Sequence, residues 1–147
     1  SMHIGKIVKK IKEERINYAP PGGNAVVSIE DTVNAQLLVM KKGKKGENYI
    51  VADEFITYLE MFNRLALMLK SRKIKKTLPN FILHPLKIIL SIIEDIMLLF
   101  HKKPILSPSS INFSFKHRYS DSSKIRSELG WKPKVSFEET MQKAIQF

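Results

Sequence analysis

Few residues of this 147-residue sequence have the types and spacings that catalysis or metal binding requires. There is no cysteine, so the chain has neither a thiolate nucleophile nor a thiolate metal ligand. His84 and His117 have no second ligand at a suitable spacing, and we predict no metal site. Gly22 and Gly23 lack the G-x-G-x-x-G spacing of a phosphate-binding loop, and the two prolines before them favour a structural turn. The sequence therefore predicts no catalytic residue, no metal ligand and no cofactor ligand.

The sequence is strongly basic. Its 25 Lys and Arg residues outnumber 14 Asp and Glu residues, which gives a net charge of +11. Such a charge attracts nucleic acid or an anionic membrane surface, so a basic nucleic-acid-binding module is one alternative function. A lysine-rich solvated surface is the interpretation we favour, because the clusters at residues 6–15, 41–45 and 70–76 lie at predicted helix ends or turns. The aromatic residues have core spacing and do not lie among the lysines, so we expect no specific nucleic-acid partner.

Length and composition predict one folded domain. A chain of 147 residues with 44% hydrophobic residues can bury a sizeable core, and Trp131 is expected to be a packing anchor in it. Ser1 and Met2 do not resemble a native start, so residues 1–147 are interpreted as a single domain cut from a longer protein. The absence of cysteine and of a visible signal peptide predicts a cytoplasmic location.

Residues 23–51 predict two strands joined by a helix. A short apolar run bounded by polar residues is typical of a buried strand, and apolar residues at helical spacing follow it. Ser28, Glu30 or Asp31 is expected to cap the helix, and we interpret Asp31 as a cap and not as a catalytic acid. The predicted order is strand Ala25–Ile29, helix Glu30–Lys42, turn Gly43–Gly46 and strand Glu47–Val51, which would form a β-α-β crossover.

The remaining segments add more helices and a third strand. Thr57 with Glu60, and Ser136 with Glu139, have the spacing of capping boxes, and Asp121 is a further candidate cap. The predicted helices are His3–Arg15, Tyr58–Lys70, Leu86–Phe100, Ser122–Leu129 and a last one that begins after Ser136. Residues 112–119 alternate aromatic with polar or basic side chains, so part of Asn112–Tyr119 is predicted to be a strand. The predicted fold class is α/β, with a small sheet of about three strands and five or six helices.

The segment Leu86–Phe100 is the most apolar part of the chain. It is too short, and with Lys87, Glu94 and Asp95 too charged, to span a bilayer, which needs about 20 apolar residues. We predict a buried or cleft-covering helix. A helix that lies on a membrane surface and a wall of an apolar substrate pocket are the alternatives, and membrane contact is the less favoured of these.

Several motifs occur in an order that resembles one enzyme family. Residues 22–35, GGNAVVSIEDTVNA, resemble the V-x-V-x-D-V-A-x-A segment of extended short-chain dehydrogenases/reductases. GENYIV at residues 46–51 resembles their G-E-x-Y-x-L strand, and TYLEMF at residues 57–62 resembles the helix that follows. DSSK, LGWKP and SFEET, which begin at residues 121, 129 and 136, resemble the family's C-terminal tail. The long apolar insert resembles that of dihydroflavonol-4-reductases, hydroxysteroid dehydrogenases and related NAD-dependent epimerases.

This resemblance implies the C-terminal, substrate-binding part of an NAD(P)-dependent oxidoreductase or epimerase. The sequence contains neither the family's glycine fingerprint nor its Tyr-x-x-x-Lys pair, so the N-terminal NAD(P)-binding domain is expected to be absent and this part inactive alone. NAD or NADP is implied for the parent enzyme and no cofactor for this part. The implied substrate is a small molecule, either a sugar nucleotide or an apolar alcohol or ketone. Candidate substrate-binding residues are Arg118, which would face substrate phosphates, and the apolar Phe81, Ile89 and Ile93.

The same resemblance implies exposed surfaces on the isolated part. The strand Glu47–Val51 would belong to the main nucleotide-binding sheet of the parent, while Ala25–Ile29 would pair with the strand near Lys116–Tyr119. Without the main sheet, Glu47–Val51 would expose an edge. We therefore expect self-association, either by strand pairing or by packing of uncovered apolar faces.

Overall fold

Seven α-helices and five short strands make up the residues that this computed structural model describes, 4–99 and 108–145. The helices are α1 (Ile4–Lys12), α2 (Ile29–Lys42), α3 (Tyr58–Met68), α4 (Leu83–Leu99), α5 (Pro108–Ser114), α6 (Ser123–Leu129) and α7 (Phe137–Ile145). The strands are β1 (Tyr18–Ala19), β2 (Gly23–Val26), β3 (Glu54–Thr57), β4 (Lys76–Thr77) and β5 (His117–Arg118), and a 3₁₀ turn, Asn80–Ile82, precedes α4.

The strands form one sheet of three and one pair. In the larger sheet the order is β3-β2-β5, with β2 antiparallel to β3 and parallel to β5. Strands β1 and β4 form the separate parallel pair. The predicted α/β class with a small sheet is confirmed. The first strand does pair with the strand near Lys116–Tyr119, but through Gly23 and Asn24, which precede the predicted bounds Ala25–Ile29. Among the described residues there are seven α-helices, because α5 forms where the sequence suggested a linker and the start of a strand.

The predicted strand Glu47–Val51 is wrong, and with it the β-α-β crossover. These residues carry no strand pairing. The strand that follows α2 and pairs with β2 is Glu54–Thr57, and the pairing is antiparallel. Tyr49 and Val51 instead pack against the core cluster beside α2, so their burial follows from helix contacts and not from a sheet. The exposed strand edge on which self-association was partly predicted is therefore absent from this segment.

The first strand also differs from its prediction, because it ends at Val26 and not at Ile29. Ser28 adopts extended backbone and its side chain accepts a hydrogen bond from the N–H of Asp31, so it is the N-cap and α2 begins at Ile29. The predicted caps Thr57 and Ser136 are also present, whereas Asp121 is not the N-cap of α6, because that helix begins at Ser123 and its N-cap is Ser122. Thr57 accepts from Glu60 N–H at 3.1 Å, and Gly130 ends α6 in the left-handed conformation that glycine favours.

Two clusters of buried side chains hold these elements together. The larger joins α1, α3 and α7, and its members are Ile7, Ile11, Ala19, Ile56, Phe62, Leu65, Ala66, Ile74, Phe137 and Met141. The smaller lies between α2 and α6 and contains Ala35, Ile125, Leu129 and Trp131. Each large apolar side chain buried in this way contributes about 1.5–3 kcal/mol, so the clusters dominate the stability of the fold.

Helix α4 lies outside both clusters. It begins at Leu83, three residues before the predicted start, with Pro85 in its first turn, while Phe100 lies outside the described residues. It packs against α5 and the 3₁₀ turn. The prediction of a buried helix is wrong for its isoleucine face, because Ile88, Ile89, Ile92, Ile93 and Ile96 are all exposed. Within residues 4–99 and 108–145, no helix combines the length and hydropathy needed to cross a bilayer.

Candidate substrate-facing site around Arg118

Two glycines determine where β5 lies. The N–H groups of Gly22 and Gly23 donate to the carbonyl oxygens of Ser114 and Lys116 at 3.1 and 3.2 Å. A Cβ on Gly22 would lie 2.5 Å from the carbonyl oxygen of Lys116, and one on Gly23 would lie 2.6 Å from the ring of Phe55. Only glycine permits this close approach, so the predicted turn at these residues also brings β5 against β2.

Aromatic rings cover one face of the sheet at this point. The rings of Phe55 and Tyr119 are stacked with centroids 4.1 Å apart, and His117 lies 5.8 Å from Phe55. His117 and Tyr119 thus share a side, as the alternation of residues 112–119 predicted. Phe113 does not share it, because it belongs to α5. The ring of Tyr119 remains largely exposed.

Arg118 projects from β5 toward α5. Its guanidinium carbon lies 5.1 Å from the centroid of the Phe113 ring, a distance at which a cation is attracted to the ring face. The side chain is exposed, and no carboxylate among the described residues forms an ion pair with it. A guanidinium that is oriented by a ring and not neutralised by an acid can still donate two parallel hydrogen bonds to a phosphate or carboxylate.

The other three predicted substrate-binding residues lie on the neighbouring layer. Phe81, in the 3₁₀ turn, is 77% exposed, and Ile89 and Ile93 on α4 are 54% and 43% exposed. Helix α4 packs on α5, the helix that carries Phe113. All four predicted residues are exposed, and none lines either of the two cavities described below.

One cavity of about 340 Å³ lies beside β2 and contains carboxylates. Its walls come from β2, α3, α7 and the segment before α7, and they include Asp53 and Glu54. Both acids already have partners: Glu54 binds the Arg64 guanidinium at 3.1 and 3.3 Å, and Asp53 lies 3.8 Å from Arg126. The acids therefore connect structural elements and are not available as a catalytic pair.

Arg64 is the centre of the largest ion-pair network among the described residues. It binds Glu60 on its own helix, Glu54 on β3 and Glu138 on α7. The hydrogen bond to Glu60 is the main reason that the pKa of Arg64 is raised; burial opposes the shift, and the bond to Glu54 adds to it. The network joins α3, β3 and α7 on the surface of the larger core cluster.

Asp31 has a role that its prediction as a helix cap missed. Its carboxylate is fully buried and accepts hydrogen bonds from the Ser28 hydroxyl at 2.9 Å and from the backbone N–H groups of Lys134 and Val135 at 3.0 Å. Its carbonyl oxygen also accepts from the indole N–H of Trp131 at 3.2 Å. Asp31 thus attaches the segment before α7 to the start of α2, a structural role that no local sequence signal revealed.

The pKa of Asp31 follows from these contacts. Burial by itself raises the pKa of the carboxyl. The hydrogen bonds from Val135 N–H, the Ser28 hydroxyl and Lys134 N–H outweigh burial, and the pKa is lowered below its ordinary value of 3.8. Asp31 is therefore ionised at neutral pH and serves as an acceptor, so it is not a general acid.

The glycine turn at residues 22–23 and the start of α2 do not fit the pyrophosphate of a dinucleotide. Dinucleotide-binding folds hold that group with free N–H groups at a glycine-rich turn and a helix N-terminus. The N–H groups of Gly22 and Gly23 already donate to backbone carbonyls, and the start of α2 is occupied by the Ser28 cap and the buried Asp31 carboxylate. Residues 4–99 and 108–145 likewise contain no group of three His, Asp or Glu side chains placed to hold a metal ion.

Comparison of the sequence with known proteins finds one informative relative. No protein-family model matches the chain. The chain is 32% identical over 121 residues to the dTDP-glucose 4,6-dehydratase of Haemophilus influenzae. The matched region is 81% of this chain but 30% of that enzyme, so the chain spans less than a third of the relative's length.

Solved structures share the fold. The protein gox2253 superposes with a TM-score of 0.74 at 20% identity, over 99% of this chain and 43% of its own. The UDP-glucose 4-epimerase of Thermotoga maritima, solved with UDP-glucose, has a TM-score of 0.61 at 18% identity, over 97% of this chain and 38% of its own. WbmG of Bordetella bronchiseptica, solved with NAD and UDP, has a TM-score of 0.62 at 16% identity, over 97% of this chain and 36% of its own. At these identities the similarity establishes the fold.

The chain thus shares its fold with part of the UDP-glucose 4-epimerase and of WbmG. The recognition made from the motifs is confirmed by the sequence match and the shared fold: the chain corresponds to the C-terminal part of an extended short-chain dehydrogenase/reductase. The narrower resemblance to dihydroflavonol-4-reductases stays a prediction.

Proposed function

We propose that this chain is the substrate-binding portion of an NAD(P)-dependent oxidoreductase or epimerase, and that Arg118 binds the phosphates of a sugar-nucleotide substrate. The relative acts on a dTDP-sugar, and two enzymes of the same fold were solved with UDP-glucose or UDP, which supports a substrate of this class. The observation that carries the proposal is the exposed Arg118 guanidinium, held over Phe113 without an acidic partner among the described residues.

The chemistry of a diphosphate suits this arrangement. A planar guanidinium matches two oxygens of one phosphate, and the ring behind it limits the conformations that the side chain must lose on binding. The exposed rings of His117 and Tyr119 stack on each other and lack the planar fork of donors that a guanidinium presents. Arg118 is therefore the group on β5 that would position the anionic end of the substrate.

A second candidate substrate is an apolar alcohol or ketone. The exposed Phe81, Ile89 and Ile93 favour it, because a wall of large apolar side chains binds apolar ligands by releasing water from both surfaces. In this alternative the wall would bind the substrate and Arg118 would have no role.

We place the cofactor outside these residues. NAD or NADP of the whole enzyme would be held by another part, since the glycines and the α2 N-terminus described above are engaged in structural contacts. The chain by itself is accordingly expected to lack oxidoreductase activity.

Titration calorimetry with UDP as the probe tests the proposal. We expect saturable binding that Arg118→Ala weakens by about tenfold or more, because a charge-assisted hydrogen bond contributes about 1.5–3 kcal/mol. Lys116→Ala is the matched control: it removes one exposed charge two residues away and is expected to change affinity by less than about twofold. Equal losses in the two variants, or binding of an apolar ketone but not of UDP, would contradict the role of Arg118.

Self-association of the chain is a further part of the proposal, and it now rests on α4 alone. The exposed isoleucines of α4 form an apolar surface that a second copy could cover. Light scattering coupled to size-exclusion chromatography should show a mass above 16.9 kDa. Replacement of Ile89 and Ile93 by glutamate should return it to the monomer value. A monomer at high protein concentration would contradict self-association.

A further inference from the structure

A second concave surface lies at the start of the β1–β4 pair, away from the sheet that carries Arg118. This cleft has a volume of about 350 Å³ and is lined by residues 16–18 and 72–76. Its size is within the range of small-ligand sites. We refer to it as the basic cleft, because four of its eight lining residues, Arg72, Lys73, Lys75 and Lys76, are cations.

The backbone of the basic cleft is held in place by a pair of hydrogen bonds at its middle residue. Ile74 is buried in the larger core cluster, its N–H donates to the side-chain oxygen of Asn63 at 2.8 Å, and its carbonyl accepts from the same amide at 3.0 Å. At its end, Lys76 pairs with Tyr18 in the parallel register of β1 and β4. The lysines on either side of Ile74 therefore project from a fixed segment, which lowers the ordering cost of binding a ligand.

The charge of the basic cleft is not compensated within it. No Asp or Glu lines the cleft, and none of its four cations forms an ion pair with another described residue. Arg72 is oriented by a neutral group, since its Nη2 donates to the side-chain oxygen of Asn17 at 2.9 Å. Elsewhere on this surface, lysines such as Lys124 and Lys143 do have acidic partners. Like charges gathered in a concavity raise the local concentration of anions.

We propose that the basic cleft binds a small soluble anion that carries two or more phosphate groups. Four convergent cations match a multiply charged ligand, while the exposed ring of Tyr18 and the amide of Asn17 supply an apolar wall and a polar contact. A concave surface of this volume suits a small ligand, whereas duplex DNA and a membrane surface require an extended basic face. The proposal does not depend on the role of Arg118, which lies on the other sheet.

Titration of the 147-residue chain with inorganic pyrophosphate at physiological salt tests the basic cleft. We expect saturable binding, and we expect Lys73→Ala with Lys75→Ala to weaken it by about tenfold or more, because two charges that contact the anion lie well within the Debye length of about 8 Å and are only partly screened. The matched control is Lys41→Ala with Lys42→Ala, which removes the same charge from the end of α2 and should change affinity by less than about twofold. Equal losses in both double variants would overturn the proposal.

Further measurements separate the cleft from its competitors. Amide chemical shifts give a second readout: pyrophosphate should move the signals of Tyr18 and Ile74, and the concentration at which they move should be unchanged in Arg118→Ala. If Arg118→Ala removes pyrophosphate binding and the cleft variant does not, the cleft proposal fails while the proposed function stands. Binding of duplex DNA or of phosphatidylserine vesicles that depends on the cleft lysines, without saturable pyrophosphate binding, would also overturn it.

Discussion

Replacement of Asp31 by alanine is the sharpest test of how this fold is held together. The variant leaves the N–H groups of Lys134 and Val135 and the Ser28 hydroxyl without their acceptor. Each unsatisfied buried donor costs about 1–3 kcal/mol, and both backbone groups are part-buried, so we take the lower half of that range for each of the three. The expected loss in the free energy of unfolding is about 3–6 kcal/mol, a large share of the 5–15 kcal/mol typical of folded proteins.

Urea denaturation followed by tryptophan fluorescence measures this loss directly. Trp131 is the single tryptophan, and its indole N–H donates to the carbonyl of Asp31, so the probe lies at the perturbed site. In thermal unfolding the same loss corresponds to a midpoint lowered by roughly 6–24 °C, at about 2–4 °C per kcal/mol. The stability of Asp31→Asn should lie between those of the wild type and Asp31→Ala. Its amide oxygen can still accept a hydrogen bond, but its NH₂ group faces a donor.

Asp121→Ala is the matched control for this experiment. Its carboxylate also accepts two hydrogen bonds, both from Ser123, but it is exposed to solvent. We expect little change in stability from this variant, because water replaces the lost acceptor. If Asp31→Ala unfolds at the same urea concentration as the wild type, or if the two variants lose equal stability, the inference that burial makes Asp31 essential is refuted.

The other predictions concern pH, backbone contact and the ion-pair network. The pKa of Asp31 is lowered in the folded state, so its contribution to stability is present above pH 3.8 and is lost as the pH falls through the folded pKa. The urea midpoint of the wild type should therefore fall between pH 6 and pH 3, and the midpoint of Asp31→Asn should fall less steeply over the same range. Gly22→Ala should destabilise by about 2 kcal/mol or more in the same assay through overpacking, whereas Gly5→Ala, in α1 with open space around it, should stabilise by about 0.5–1 kcal/mol. Arg64→Ala should cost about 1 kcal/mol at low salt and less in 1 M salt, because its carboxylate partners are partly exposed and salt screens them.

Part of the candidate site could be predicted from the sequence and part could not. The alternation of residues 112–119 predicted that Arg118 would lie at the end of a strand, and it lies on β5. The same alternation placed Phe113 with His117 and Tyr119, but the chain is helical at Phe113 and its ring contacts Arg118 instead. An alternating pattern predicts that a strand exists, but not where it begins. Strand β5 begins where the chain can pair with β2, and the backbone contacts of Gly22 and Gly23 fix that position.

The sequence by itself determined the helix ends, because these depend on contacts within about one helical turn. Ser28, Thr57 and Gly130 bind backbone groups three to five residues away, so residue type and spacing suffice to predict the helix ends at these positions. Only the tertiary structure decided that the partner of β2 is Glu54–Thr57, and that Asp31 binds a backbone N–H 103 residues away. The physical reason is that contacts between distant segments depend on the total area buried and the number of donors satisfied in the whole fold. A local sequence pattern contains no information on these totals.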